Sequence, residues 1–193
     1  MTGSSPSTEH VAEPERIEFQ NTIEGVLTVG LKSEMSGPLK EKLKAAGLDM
    51  NKPLLPGYPP SQVFKWIAIA ASHIFPGDST DEGVRKLGMK SVTGLQETML
   101  GKALKGALMI IGTRRSLHRA QRAFRSNNNY TEVTLAELSP TCMNLTLNHV
   151  NGYPTFYQGV FAGACELIGA KNCTVEILEK SLHGATYQVR WDA

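Results

Sequence analysis

The chain has little of what most catalytic and metal sites are built from. Its three cysteines, Cys142, Cys165 and Cys173, form no CxxC pair, and an odd number leaves no complete disulfide framework. That thiol usage points to a reducing, cytoplasmic compartment. The five histidines (His10, His73, His118, His149, His183) stand singly, with no HxxxH or HExxH at zinc-ligand spacing, so no metal site is expected. GxSxG and GxGxxG do not occur, and Gly101-Lys102 lacks the strand, glycine-rich loop and following hydroxyl of a phosphate-binding loop. With no acid–base pair or activated nucleophile to assign, the chain is not expected to be an enzyme. No apolar run reaches the ~18 residues of a membrane span. The opening MTGSSPSTEHVAEPER lacks the apolar stretch of a secretory signal, and residues 1–16 read as a disordered tail. A dominant charge is missing too: 20 Lys+Arg against 18 Asp+Glu leave +2, too little for a nucleic-acid footprint.

What is present is an apolar pattern. At 193 residues and 41% hydrophobic, the chain can bury one core, so residues 17–193 read as a single domain. In 17–35, Ile23, Val26, Leu27 and Leu31 recur at helical spacing. Ser36 caps a helix with Pro38 in its first turn and Gly47 as its stop. NKPLLPGYPP, with four prolines in ten residues, reads as a loop without regular structure. From Ser61, the residues Val63, Phe64, Ile67, Ala70, Ala71 and Ile74 trace a broad apolar face that ends at Pro76-Gly77. Asp78 or Ser79 caps a shorter helix stopped by Gly88. Ser91 or Thr93 leads a longer one, whose Leu95, Met99, Ala103, Leu104, Ala107, Leu108 and Ile111 form a core-facing stripe. RRSLHRAQRAF reads as one helix.

After Asn127-Asn128-Asn129, where three amides suggest a left-handed turn with side chains bonding backbone but a plain tight helix-to-strand connection is the favoured reading, the period changes to two. YTEVTLAEL, TCMNLTLNHV, CTVEILEK and ATYQVRW alternate as half-buried antiparallel strands. Between the second and third lies a helix, Pro154 to Gly169, whose Gly159, Ala162, Gly163 and Ala164 pare one side down to backbone. Such a side lies close on a sheet or leaves room for a ligand. The fold class is α+β: an N-terminal helical half on a C-terminal four-stranded antiparallel sheet, ordered strand-strand-helix-strand-strand.

Two groups of residues are candidates for function. Phe64, Ile67, Phe156, Tyr157, Val160, Phe161 and Gly163 would line an apolar pocket beneath helix 154–169, or would simply fill the core. Arg115, Arg119 and Arg122, in a run from Arg114 to Arg125, are planar permanent charges suited to carboxylate, phosphate or an acidic partner; Glu132 and Glu137 follow closely enough to pair with them. His118 in the same helix could serve only as an axial haem ligand.

The spaced elements IEGVL (Ile23 to Leu27), PGYPPSQVFKW (Pro56 to Trp66), FPGDSTDEGVRKLG (Phe75 to Gly88), RSNNNYTEV (Arg125 to Val133), FYQGVFAGACELIGA (Phe156 to Ala170) and terminal YQVRW resemble an uncharacterised family expanded in myxobacteria. The C-terminal order also resembles the superfamily joining haem nitric-oxide/oxygen-binding domains, vinyl-reductase-like sensors and Golgi-transport tethering subunits. That resemblance implies a pocket between helices and sheet holding haem, a small apolar ligand or an acyl chain. The sequence departs from the haem branch: no Tyr-x-Ser-x-Arg triad holds the propionates, the corresponding stretch reads MNLTLNHVNG, and His118 is off the proximal position. The resulting expectation is a non-enzymatic small-molecule sensor or adaptor domain with no cofactor named. Its alternatives are a protein-interaction or dimerisation module, with a homodimer or protein partner, and a haem-based gas sensor.

Overall fold

A computed structural model describes residues 15–97 and 99–193, except for the side chains at 97, 100 and 101. Of the tail expected over 1–16, all but Glu15 and Arg16 lies outside the described residues. The domain is α+β. A four-stranded antiparallel sheet comprises β3 (Val133–Ser139), β4 (Cys142–Leu147), β5 (Thr174–Lys180) and β6 (Ala185–Arg190), ordered β3-β4-β6-β5. The alternation read from the sequence is the alternation of burial: Met143, Leu145 and Leu147 of β4 and Ala185, Tyr187 and Val189 of β6 are buried on one face. That face receives α8 (Pro154–Ile168), which is tied to the sheet by two hydrogen bonds in its N-terminal half. The Tyr187 hydroxyl donates to the Pro154 carbonyl at 2.8 Å, and the Gln158 amide donates to the Val175 carbonyl at 2.8 Å.

The helical half packs on the far side of α8. A two-residue strand, β1 (Glu18–Phe19), opens the 17–35 segment and pairs with β2 (Gly57–Tyr58), so the proline-rich stretch holds one short strand. Then come α1 (Gln20–Ile23) and a π-helical run, Glu24–Val29, which turn Ile23, Val26, Leu27 and Leu31 into the core. Ser36 caps α2 (Gly37–Ala45), its hydroxyl accepting from the Leu39 N–H at 3.3 Å. In α3 (Pro60–Ile74), Trp66 is fully buried and its indole N–H meets the Ala46 carbonyl at 2.9 Å, pinning α2 to α3.

Four expectations are corrected. Ser79 caps α4 (Thr80–Thr93), but Gly88 does not stop it; the helix runs on because Gly88 faces another backbone. The small-residue side of α8 faces α4, neither the sheet nor a void: a Cβ at Gly159 would lie 1.9 Å from the Arg85 carbonyl oxygen, and one at Gly88 would lie 2.1 Å from that of Phe156. The stripe expected to face the core from 95 to 111 does not. After a 3-10 turn, Gly94–Glu97, the helix α5 (Met99–Ile111) leans on the end of α8, leaving Met99 91% and Ile110 89% exposed, with Ala103, Leu104 and Ala107 also in solvent. Finally, the arginine run is two short helices, α6 (Thr113–Leu117) and α7 (Ala120–Arg125), broken at His118-Arg119 so that both Leu117 and Phe124 reach the core.

The close approach of α4 and α8 predicts the effect of a single methyl group. Gly159→Ala forces carbon into a carbonyl oxygen, and overpacking of this kind costs about 1–3 kcal/mol or more. Gly106→Ala in α5, where a Cβ meets nothing within 4 Å, is expected to be neutral or stabilising. Urea unfolding midpoints of the two variants check both statements.

Candidate functional site

Of the seven residues expected to line a pocket, the four aromatic ones meet in the structure, Phe161 through Phe124. Phe64 stacks on Tyr153 (centroids 5.5 Å apart) and stands edge-on to Phe156 (5.6 Å). Tyr157 lies between Phe64 (6.0 Å) and Phe124 (5.8 Å), and Phe161 between Phe124 (6.1 Å) and Tyr187 (5.1 Å). Such edge-to-face and offset pairs add to the area they bury. Ile67 is buried beside them, Val160 is half-buried against the core, and Gly163 lies against Met89 and Val92 of α4. These rings occupy the space between α3, α7, α8 and β6.

A second cluster, which the sequence reading missed, joins three distant parts of the chain. Glu18 is buried at 1% exposure, and its carboxylate accepts from the Tyr130 hydroxyl and from the Thr22 hydroxyl at 2.9 Å. No ion pair is formed with it among the described residues. Burial pushes its pKa above the ordinary 4.5, opposed by the hydrogen bonds from Tyr130, Thr22 and Asn128. The Asn151 amide donates to the Tyr130 hydroxyl at 2.6 Å and reaches that of Tyr157 at 3.4 Å. Burial, with the Glu18 charge adding to it, raises both phenols far above their usual range, so both stay neutral, Tyr130 donating to Glu18 and Tyr157 accepting from Asn151.

The asparagine run builds this cluster. The Asn128 Oδ1 accepts from the Thr131 N–H at 2.8 Å, and the Asn129 Oδ1 accepts from the Ile17 N–H at 2.9 Å while its amide donates to the Glu15 carbonyl at 2.9 Å. The side chains bond backbone as expected, but none of the three takes a left-handed conformation; Asn151 and Asn172 do. The N-terminal segment is thereby held against the turn, with Glu18 under it. Only the oddity of the Asn run signalled this in the sequence.

Above the cluster opens a cleft of about 440 Å³ lined by Glu15, Arg16, Pro59, Pro60, His149, Asn151, Leu182 and His183, among others. Arg16 hydrogen-bonds His149 at 3.1 Å and lies 5.9 Å over the Tyr130 ring. The cleft thus combines one guanidinium, one carboxylate and two imidazoles with apolar walls, and Asn151 belongs to both the cleft and the Glu18 cluster. A smaller cleft, about 300 Å³, lies between Lys32, Lys90, Gln96 and Glu166.

The remaining candidates are on the surface or inert. Arg115, Arg119 and Arg122 are exposed with no ion pair among the described residues; it is Arg114 and His118 that bond Glu137. Arg114, then His118, holds the Glu137 carboxyl below the usual range. Cys165 is buried, and its hydrogen bond with Cys173 together with desolvation pushes its thiol up, away from nucleophilic character. Among the described residues, no three His, Cys, Asp or Glu converge on a point.

Residues 16–192 match the sequence profile of a family described as proteins of unknown function, DUF2378. The chain belongs to this family. No curated protein matches the chain in sequence. Among solved structures, this DUF2378 chain is similar to one described as giving insight into the mechanism of H-NOX activation, with 13% identity, 91% of this chain and 97% of that one covered, and a TM-score of 0.66. It is also similar to an oxygen-binding H-NOX domain related to soluble guanylate cyclases, in its oxygen complex, at 12% identity, with 89% and 93% covered and a TM-score of 0.62. A mutant H-NOX of T. Tengcongensis matches at 12% identity, with 85% and 92% covered and a TM-score of 0.58. At such identities the likeness is one of fold, and the fold is that of an H-NOX domain.

The described residues do not fit a haem. Aromatic rings pack against each other beneath α8, His118 turns outward to Glu137, and none of His73, His118, His149 and His183 is buried.

The Glu18 cluster predicts a pH dependence. Because the folded-state pKa is raised, the stability contributed by protonated Glu18 is complete below its unfolded value and lost as pH rises through the folded one. Urea midpoints of the native chain should therefore fall more steeply above about pH 4.5 than those of Glu18→Gln, which keeps the shape without the charge. Parallel curves would contradict the assignment.

Proposed function

We propose that this DUF2378 domain is a non-enzymatic sensor or adaptor module that binds a small molecule carrying an anionic group and an apolar part in the Arg16–Asn151–His183 cleft. The observation that carries the reading is the double membership of Asn151. Its side chain lines the cleft and also holds the Tyr130 and Tyr157 hydroxyls, whose rings belong to the interior. A ligand acceptor that takes the Asn151 amide competes with both phenols. Tyr157 then transmits the change to Phe124 on α7 and Phe64 on α3, the discrete repacking that a sensor needs.

The chemistry follows from the lining. Arg16 offers a planar fork for a carboxylate or phosphate, and His149 and His183 add imidazole nitrogens beside it. Pro59, Pro60 and Leu182 supply apolar contact. A cleft of about 440 Å³ falls within the usual range of small-molecule sites. The apolar interior pocket expected from the sequence is the weaker location, since its aromatic candidates pack against other rings. Haem-based gas sensing is the second reading; the likeness of fold to H-NOX domains supports it, and the misfit of the described residues to the group counts against it.

Native mass spectrometry of the freshly purified chain separates these readings. A bound adduct that Arg16→Ala and Asn151→Ala both weaken, by roughly tenfold for the loss of a charged hydrogen bond, is the expected result. A bare chain, or an adduct indifferent to both substitutions, would count against the cleft. An absorbance scan of the same sample is expected to be colourless, and a Soret band would favour haem.

A further inference from the structure

The chain's near-zero net charge conceals a strong local imbalance. Residues 98–131 contain seven of the 20 Lys+Arg and none of the 18 Asp+Glu. The same stretch holds α5, on which Met99 and Ile110 are almost fully exposed and Leu104 and Met109 about half exposed. Its other charges are Lys102 and Lys105, and it is joined through Gly112 to the two arginine-bearing helices. Of those arginines, only Arg114 is paired with a carboxylate; Arg115, Arg119 and Arg122 are exposed and unpaired among the described residues.

We propose that α5 and the arginines after it dock this domain onto an anionic phospholipid surface. Large apolar side chains left in water beside cations, with no carboxylate in the same stretch of chain and only Glu137 reaching in from β3, are the signature of a helix lying in the headgroup layer: the apolar groups enter the acyl boundary and the cations meet the phosphates. Length decides that the helix lies on the bilayer and does not cross it. Thirteen residues rise about 20 Å against a hydrocarbon core of about 30 Å. Among the described residues, no helix is long and apolar enough to span. A second copy of the chain suits the face poorly, because two such surfaces would oppose cation to cation. Nucleic acid would have no use for Met99 and Ile110, and the one aromatic ring between 99 and 129, Phe124, is buried.

The experiment is co-sedimentation of the full chain with vesicles of phosphatidylcholine alone and of phosphatidylcholine with about 30 mol% phosphatidylglycerol, at low and high salt. The chain should pellet with the anionic vesicles only, and should be released by high salt. Met99→Glu with Ile110→Glu should abolish binding. Arg115→Glu with Arg119→Glu should weaken it roughly twenty-five-fold or more, at roughly fivefold per cation near the surface. Leu55→Glu, at an exposed leucine of the proline-rich loop, should change nothing. All these positions are exposed, and circular dichroism confirms that each variant is folded. Three outcomes would overturn the proposal. The native chain could stay in the supernatant with anionic vesicles. Binding could be indifferent to the Met99 and Ile110 changes, leaving charge alone. Sedimentation velocity could reveal a dimer that Ile110→Glu dissociates, giving the face to a second copy.

Discussion

The contact on which the arrangement depends is made almost without side chains. Where α4 crosses α8, Gly88, Gly159 and Gly163 bring two backbones together so closely that a methyl group at Gly159 would overlap a carbonyl oxygen. Two helices in such contact behave as one rigid layer. With that side of α8 committed to α4, its aromatic residues have only the remaining sides to occupy. Phe161 accordingly meets Tyr187 on the sheet, while Phe156 and Tyr157 meet Phe64 on α3. The ring cluster is thus a consequence of where the glycines are.

Much of this was legible in the residues. Strict alternation in TCMNLTLNHV and ATYQVRW predicted a sheet with one buried face, and the burial of Met143, Leu145, Leu147, Tyr187 and Val189 follows it. The caps at Ser36 and Ser79 are where hydroxyls precede apolar periodicity. A small-residue face, however, declares only that something comes close. Here the neighbour is a helix whose own Gly88 read as a stop signal, since local propensity carries no knowledge of a tertiary partner. The stripe in α5 failed for the complementary reason: periodicity finds an apolar face without saying whether the protein itself covers it.

The candidate site divides the same way. Phe64, Phe156, Tyr157 and Phe161 were identifiable as a group because helical spacing places them on interior faces. Glu18, Tyr130 and Asn151 were not, because they come from an N-terminal strand, a helix-to-strand turn and a loop more than a hundred residues apart at the extremes. The Asn run that pins them together looked unusual, but its partners at Glu15 and Ile17 could not be read from spacing. The outcome is an H-NOX fold at 12–13% identity in which the region under α8 is occupied by aromatic side chains and polar side chains line a cleft beside the N-terminal segment.

A crystal structure of the chain under xenon pressure tests that account most directly, because xenon enters dry apolar cavities and little else. The account predicts no xenon site among Phe64, Phe124, Tyr157, Phe161 and Tyr187, with those rings in mutual contact. A xenon peak or bound-ligand density between α8 and the sheet, with these rings displaced to line it, would contradict it.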